Sequence, residues 1–536
     1  MMRRLRSLLG PSAAQAARLV EEAERAYRAG DAARAGALCL RAARGDSPAH
    51  ARATAMLAAI AADDGRIDEG LRWARAARAA DPAGASPAYV TGRLLQEAGR
   101  LAEAEGCYRE AVAREPGHAR AYNNLGCVLH MQGRLDDALV AYRRALDLDP
   151  TLPQANQNFA SIVRDPAALA RAAEEYRRAT LANPRDALAF NDLGNTLREL
   201  GRLDESLEAF AQALAIDPGL AQAHFSRSFV LLLRGDYAGG WNDYEWRWKL
   251  PAFNAPVRRF AQPMWDGRAL AGATILLHAE QGLGDTLQFA RYAPLVAERC
   301  GAVILESQRE LAALMRSVRG LSQVVARGEP LPHFDAHAPL MSLPAVFGTT
   351  LERIPWDGPY VHADPARAAQ WDLDAHAGGA RLKVGLVWAG RPQQWDDRKR
   401  SLTLGRLAPL ASAEGVAFFS LQVGEAAAQA AAPPAGMRLV DLTSRIADFS
   451  DTAALVSQLD LVITIDTSVA HLAGAMGRPV WVLVAHAPDW RYHLGREDMP
   501  WYPGMRLFRQ ERDGDWTGAI ARAAEALGAR AAAAGG

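Results

Sequence analysis

Six prolines, Pro48, Pro82, Pro116, Pro150, Pro184 and Pro218, lie 34 residues apart along the first half of this chain. A period of that length, held through five successive intervals, demands one supersecondary unit used repeatedly, and excludes a single mixed domain over the same span. Small residues keep the same register: Gly92, Gly126 and Gly194 recur on one position, with Ala58 and Ala160 where glycine is missing. A second glycine series, Gly65, Gly99, Gly133, Gly201 and Gly235, follows each first apolar segment. The pattern predicts pairs of antiparallel helices. The small residue lets them approach closely, the second glycine ends the first helix, and the proline stops the second.

Tyr122-x-x-Leu125-Gly126-x-x-Leu129, Ala138-x-x-x-Tyr142 and then Pro150 resemble the tetratricopeptide repeat, as do Phe190-x-x-Leu193-Gly194-x-x-Leu197, Ser206-x-x-x-Phe210 and Pro218. Five repeats read well (51–84, 85–118, 119–152, 153–186 and 187–220), with a degenerate one before and a partial one after. Such arrays stack into a superhelix whose concave face usually takes an extended peptide. Asn124, Asn158 and Asp192 share one repeat position on that face, preceded by Asn123, Gln157 and Asn191. The ladder is similar to the asparagine-lined groove of protein O-GlcNAc transferases and suits a peptide backbone. It equally suits plain solvation of the inner face. Trp241, Tyr244, Trp246 and Trp248 crowd into the end of the array, a density expected to seal it against the next domain.

The second half changes period. Thr274–Leu277, Ala302–Leu305, Lys383–Trp388, Ala417–Leu421, Leu439–Asp441, Leu461–Ile465 and Val480–Val484 read as short buried strands alternating with helices, among them 286–299, 311–318 and 469–476. Two strand-to-helix turns stand out. Gly282 and Gly284 allow a tight turn and close approach to a ligand, with Asp285 at the start of the next helix. Asp466, Thr467 and Ser468 follow a buried strand and offer oxygens to cap the next helix, whose free N–H groups and positive dipole end suit an anion. His471 falls one turn inside it. The loop 389–401 carries Arg391, Arg398, Lys399, Arg400 and Ser401, cations suited to polyphosphate or simply to a solvated loop. Gln422 and Gly424 follow the 417–421 strand. His333-x-x-x-His337 lacks a third ligand, so no metal site is expected.

Composition narrows the class. Of 536 residues, Lys+Arg and Asp+Glu number 61 each, so net charge indicates neither nucleic acid nor a membrane surface. The four cysteines (Cys39, Cys107, Cys127 and Cys300) are scattered, as in a reduced compartment. No apolar run approaches a transmembrane length, and 1–9 is too short for a signal-peptide core. A cytoplasmic chain is expected.

From Trp265 to Gln510 the chain resembles glycosyltransferases of the lipopolysaccharide heptosyltransferase type (family 9-like), in bacterial proteins joined to tetratricopeptide repeats. WDGRAL, EQGLGDTLQFARY, GLVWAGRPQQWDDRKRSL, FSLQVG, DLVITIDTSVAHLAGAMGRPVWVL and DWRYHL…PWYP…RLFRQ carry the likeness, with DYEWRW at the junction. The resemblance implies an α-solenoid followed by a GT-B-like pair of Rossmann-like lobes. The expected layout is a tail (1–16), the repeat superhelix (17–250), a linker (251–270), an N-terminal lobe (271–378), a C-terminal nucleotide-sugar lobe (379–528) and an Ala/Gly tail (529–536). By that resemblance Asp285 is the catalytic base. Gly282, Gly284, Arg398, Arg400, Ser401, Gln422, Asp466, Thr467, Ser468 and His471 surround the nucleotide-sugar, which is a co-substrate; no cofactor or metal is implied. The expected activity is metal-independent, inverting transfer of a sugar to a protein or peptide presented by the repeats. Two alternatives remain at this level: transfer to lipopolysaccharide or another glycan, and a non-catalytic scaffold that binds nucleotide. A short N-terminal lobe, and arginines where heptosyltransferases commonly have a lysine, leave donor and acceptor open.

Overall fold

The computed structural model describes residues 11–28, 31–44, 49–149, 152, 154–155, 158–159, 166–250, 260–391 and 397–534, with the backbone alone for 28, 166, 168 and 398. The 1–10 and 535–536 ends of the expected tails, Pro48, Pro150, Gln157, Ala160 and the 251–259 part of the linker lie outside the described residues.

Helical hairpins fill the first half. Ile67–Ala80 ends before Pro82, Leu101–Arg114 before Pro116 and Leu203–Ile216 before Pro218. Gly65, Gly99, Gly133, Gly201 and Gly235 all have positive φ, between 70° and 87°, which explains glycine where each first helix turns. The small-residue series answers to packing. A β-carbon at Gly92, Gly126 or Gly194 would stand 2.8, 2.6 or 2.7 Å from the ring of Tyr108, Tyr142 or Phe210 on the partner helix. Glycine and aromatic are therefore two halves of one contact.

Two compact units divide the chain, 1–175 and 176–536. Leu232, Tyr237, Trp241 and Tyr244, from Ala221–Arg234 and Tyr237–Tyr244, share one buried cluster with Trp490, Trp501 and Phe289 of the α/β region. The last repeat is part of that core, as the aromatic density foretold.

Two parallel sheets build the rest of the second unit. The first comprises β1 (Leu270–His278), β2 (Cys300–Ser307), β3 (Gln323–Ala326) and β4 (Ala336–Pro339), in the order β3-β2-β1-β4. The second comprises β5 (Leu382–Val387), β6 (Val416–Ser420), β7 (Leu439–Asp441), β8 (Leu461–Ile465), β9 (Val480–Val484) and β10 (Met505–Arg509), ordered β10-β9-β8-β5-β6-β7. Numbered within that sheet the order is 3-2-1-4-5-6, the doubly wound arrangement, and it reverses between β5 and β8. The β5, β6, β8 and β9 side chains are buried on both faces apart from Lys383, which explains their continuous apolar reading.

Three readings change. The helix expected over 286–299 is Leu283–Phe289, a 3-10 turn at Ala290–Tyr292 and Ala293–Ala297, because Pro294 has no N–H to continue the ladder. The four-residue strands β3 and β4 escape periodicity, yet they complete the short first lobe. The ends of the fold are helical further out than expected, from Ala13 and as far as Ala533.

Candidate functional site

Two helices begin at strand carboxyl ends and pack against each other from opposite sheets: Leu283–Phe289, after β1, and Ser468–Ala475, after β8. Here they are the Leu283 helix and the Ser468 helix. β8 borders the point where the second sheet reverses, the position at which open α/β sheets take their ligands.

Thr467 occupies the N-cap of the Ser468 helix without capping it; no side chain there accepts from the first turn. Its hydroxyl instead meets Thr464 Oγ1 at 3.0 Å. Asp466, expected to cap, turns away: it accepts from the Tyr492 hydroxyl at 2.8 Å and Arg400 Nη1 at 3.3 Å. The expected side-chain cap is thus absent, and the helix start keeps N–H groups and a positive dipole end for an anion.

On the facing side, the Asp285 carboxylate accepts the Gly282 N–H at 2.8 Å and is ion-paired with Arg491. Burial raises its affinity for a proton; Arg491 opposes this, while Asp489 and Asp466 add to it. The two glycines need a different explanation from the expected tight turn. Gly282 has φ −69°, open to any residue, and Gly284 lies within the helix. What Gly284 does is admit the ring of His471, whose Cδ2 is 2.9 Å from the place of a β-carbon. His471 is buried, 3.2 Å from the Tyr502 hydroxyl through Nδ1, and burial brings it down to about 3, with the Arg491 charge adding to that. It is a neutral packing residue between the helices.

The cationic loop is already engaged. Arg400 lies 3.5 Å from Asp397 as well as 3.3 Å from Asp466, and Lys399 meets Glu199 of the repeat helix Ala187–Glu199 at 2.6 Å. Arg398 follows Asp397 on the same helical turn, its side chain outside the described residues. Ser401 Oγ donates to Asp397 at 2.8 Å and accepts the Gly390 N–H at 2.9 Å, closing the loop on itself. Gln422 Oε1 accepts from the Trp388 and Ala389 N–H groups, and its Nε2 donates to the Ala389 and Val423 carbonyls. Both shape the loop after β5 with groups already committed to protein partners.

The repeat-face residues hold one another. Asn124 Nδ2 donates at 3.4 Å to the hydroxyls of Tyr89 and Tyr108, Asn158 Nδ2 to Asn123 Oδ1 at 3.1 Å, and Asn191 Nδ2 to Asp192 Oδ1 at 3.2 Å. His337 sits on β4, where Nδ1 meets His278 Nε2 at 3.2 Å. Among the described residues no group of three or more His, Cys, Asp or Glu side chains could hold a metal, and no helix is long and apolar enough to cross a membrane.

Sequence reasoning missed Arg491, Asp489, Tyr492 and Tyr502, which tie the two helix starts together, and Glu280, which follows β1. Glu280 pairs with the fully buried Arg247 of the junction at 3.2 Å and is pushed up to about 7, by burial above all. The signal available was DWRYHL and PWYP, two aromatic-rich loops beyond β9 with no period to reveal their purpose.

The tetratricopeptide repeat profile matches residues 89–153 and 169–221, and that of glycosyltransferase family 9 (heptosyltransferase) matches 406–489. Protein FlbA of Caulobacter vibrioides is 31% identical over 333 residues, 58% of this chain; the chain spans 55% of the length of FlbA. Among solved structures, TTC0263, a thermophilic tetratricopeptide protein in Thermus thermophilus, is 20% identical with a TM-score of 0.25, over 40% of this chain and 99% of that one. MamA is 18% identical with a TM-score of 0.22, over 37% and 96%. The chain thus carries tetratricopeptide repeats and a region that matches the family 9 profile.

Proposed function

We propose that this chain moves a sugar from a nucleotide-diphosphate sugar to a hydroxyl of a protein or peptide, with inversion at the anomeric carbon and without a metal. The reading rests on the facing arrangement of Asp285 and the uncapped Ser468 helix, joined through Arg491 and Tyr492. Asp285 takes the proton from the acceptor hydroxyl; the oxygen attacks the anomeric carbon, and the diphosphate departs with the bonding pair. The Ser468 helix start, the Thr467 and Ser468 hydroxyls, Arg400 and Arg398 stabilise the charge that develops on it. The family 9 match and the position of the site beside the sheet reversal support the donor side. The repeats support a protein acceptor, met by Asn124 and Asn158 of the first unit; a cytoplasmic setting goes with this reading.

The test is a thermal-shift screen against UDP-, ADP-, GDP- and CMP-sugars, in which a ligand at about 100 Kd stabilises by roughly 2.7 kcal/mol. Asp285→Asn should then keep donor affinity and lose transfer by about 10²–10⁴-fold. Turnover within a few-fold of wild type removes Asp285 from the chemistry. A donor-induced shift without transfer to any acceptor favours the nucleotide-binding scaffold.

A further inference from the structure

Arg491 leaves the carboxyl side of β9 on the 3-10 turn Trp490–Tyr492, and its guanidinium reaches the first sheet's Leu283 helix. There Nη2 meets Asp285 and Nε donates to Gln288 Oε1 at 2.6 Å, while Nη1 stays on Asp489 Oδ1 at 2.9 Å. The side chain is 9% exposed, with its charge 4.3 Å from the centre of the Trp490 ring. A planar fork with acceptors on all three nitrogens has little freedom left to rotate. Asp285 is thereby held from two directions, by the Gly282 N–H of its own turn and by a cation from the other sheet.

The turn that carries Arg491 is itself braced. Tyr492 donates to Asp466, and His493, at φ +51°, meets the Leu233 carbonyl through Nδ1 at 3.1 Å and the Tyr237 hydroxyl through Nε2 at 3.0 Å. Trp490 stands edge-on to Trp241 at 5.2 Å. A strained backbone persists only where its surroundings over-determine it, and here the last repeat supplies those surroundings.

We propose that Arg491 is a positioning residue for Asp285: it fixes the carboxylate of one sheet against the helix start of the other and keeps it in its basic form. The inference rests on the reading of Asp285 as the base. The charges facing Asp285 show why a cation is needed. Asp489 comes from the Arg491 loop, Asp466 from the end of β8 and Glu280 from the end of β1, with Tyr244 from the last repeat and neutral His471 from the Ser468 helix. Half-buried beside other carboxylates, an aspartate takes up a proton more readily than in water; a guanidinium alongside typically lowers its pKa by about 1–3 units.

The experiment uses the full chain with Arg491→Met and Arg491→Lys, and Asp285→Asn as reference. Infrared titration of the carboxylic-acid C=O stretch, with the Asp285→Asn spectrum subtracted, reads Asp285 directly. Arg491→Met should raise its midpoint by about 1–3 units. Arg491→Lys should leave the midpoint near that of wild type, because the charge is kept. With the nucleotide sugar that gives the largest thermal shift, the acidic limb of the rate profile should move upward in Arg491→Met. In Arg491→Lys it should stay in place while kcat falls by up to about 100-fold at unchanged KM, the usual effect of a misplaced catalytic group. An unmoved midpoint in Arg491→Met overturns the inference, as does wild-type kcat in Arg491→Lys; the lysine variant decides alone if the methionine variant does not fold. Full turnover in Asp285→Asn sinks the base reading instead, a separate outcome from either.

Discussion

The Cδ2 atom of His471 lies 2.9 Å from the point where a β-carbon on Gly284 would stand, so this pair sets how closely the two helices of the site approach. The His471 ring is buried and tied to Tyr502, which leaves it little room to yield. Gly284 is helical, so propensity alone favours Gly284→Ala by up to about 1 kcal/mol. The contact works against it. Gly284→Ala should destabilise the second unit by about 1–3 kcal/mol, the usual cost of overpacking, measured by denaturant unfolding. Stability at or above wild type would mean that the ring can move aside.

Donor affinity separates the two kinds of phosphate contact. Thr467→Val keeps the side-chain shape and removes the hydroxyl, and Arg400→Ala removes a cation that lies 3.3 Å from Asp466. Each should raise the Kd for the nucleoside diphosphate by about ten- to a hundredfold, the loss of one charge-assisted hydrogen bond. Added salt should weaken wild-type binding more than that of Arg400→Ala. Calorimetric titration decides this, and unchanged affinity in both variants would move the diphosphate elsewhere.

The last repeat should behave as part of the transferase core. Trp241 is 2% exposed and touches Trp490, Trp501 and Phe289. Trp241→Ala should cost about 3–5 kcal/mol, the range for truncating a large buried aromatic. Denaturant unfolding monitored on the second unit is the measurement. A loss below about 1 kcal/mol would show that the junction is loosely packed.

His471 gives stability a definite pH dependence. Its folded-state pKa is brought down to about 3 from 6.5, so the unfolded chain binds a proton that the folded chain refuses. Stability is therefore full above about 6.5 and declines as pH falls towards 3, at about 1.4 kcal/mol per unit from this residue. Glu280, raised to about 7, slopes the opposite way between 4.5 and 7, so total stability hides the effect. The stability difference between wild type and His471→Gln isolates it, and should shrink as pH falls below 6.5. A pH-independent difference would mean that His471 takes up its proton in the folded state.

What could be read from the chain alone follows from what is local. The proline and glycine period dictates helical hairpins, because φ limits and missing N–H groups act within a few residues. Buried strands such as Leu461–Ile465 and Val480–Val484 show themselves as apolar runs for the same reason. The position of Asp285 at a helix start was legible too, since strand, turn and helix are consecutive.

The tertiary structure decided which of these residues meet. Asp285 and Arg491 are 206 positions apart, and Lys399 and Glu199 are 200 apart. Asp466 could cap its own helix by local geometry, yet Tyr492 and Arg400 claim it, because a second sheet element brings better-placed donors. Gly284 could serve a turn or a ligand, and only the arrival of His471 shows why it has no side chain. The last, partial repeat keeps the turn glycine of its neighbours at Gly235, but its apolar surface is buried on the α/β core; which surface a helix covers depends on what packs against it, and no local pattern records that.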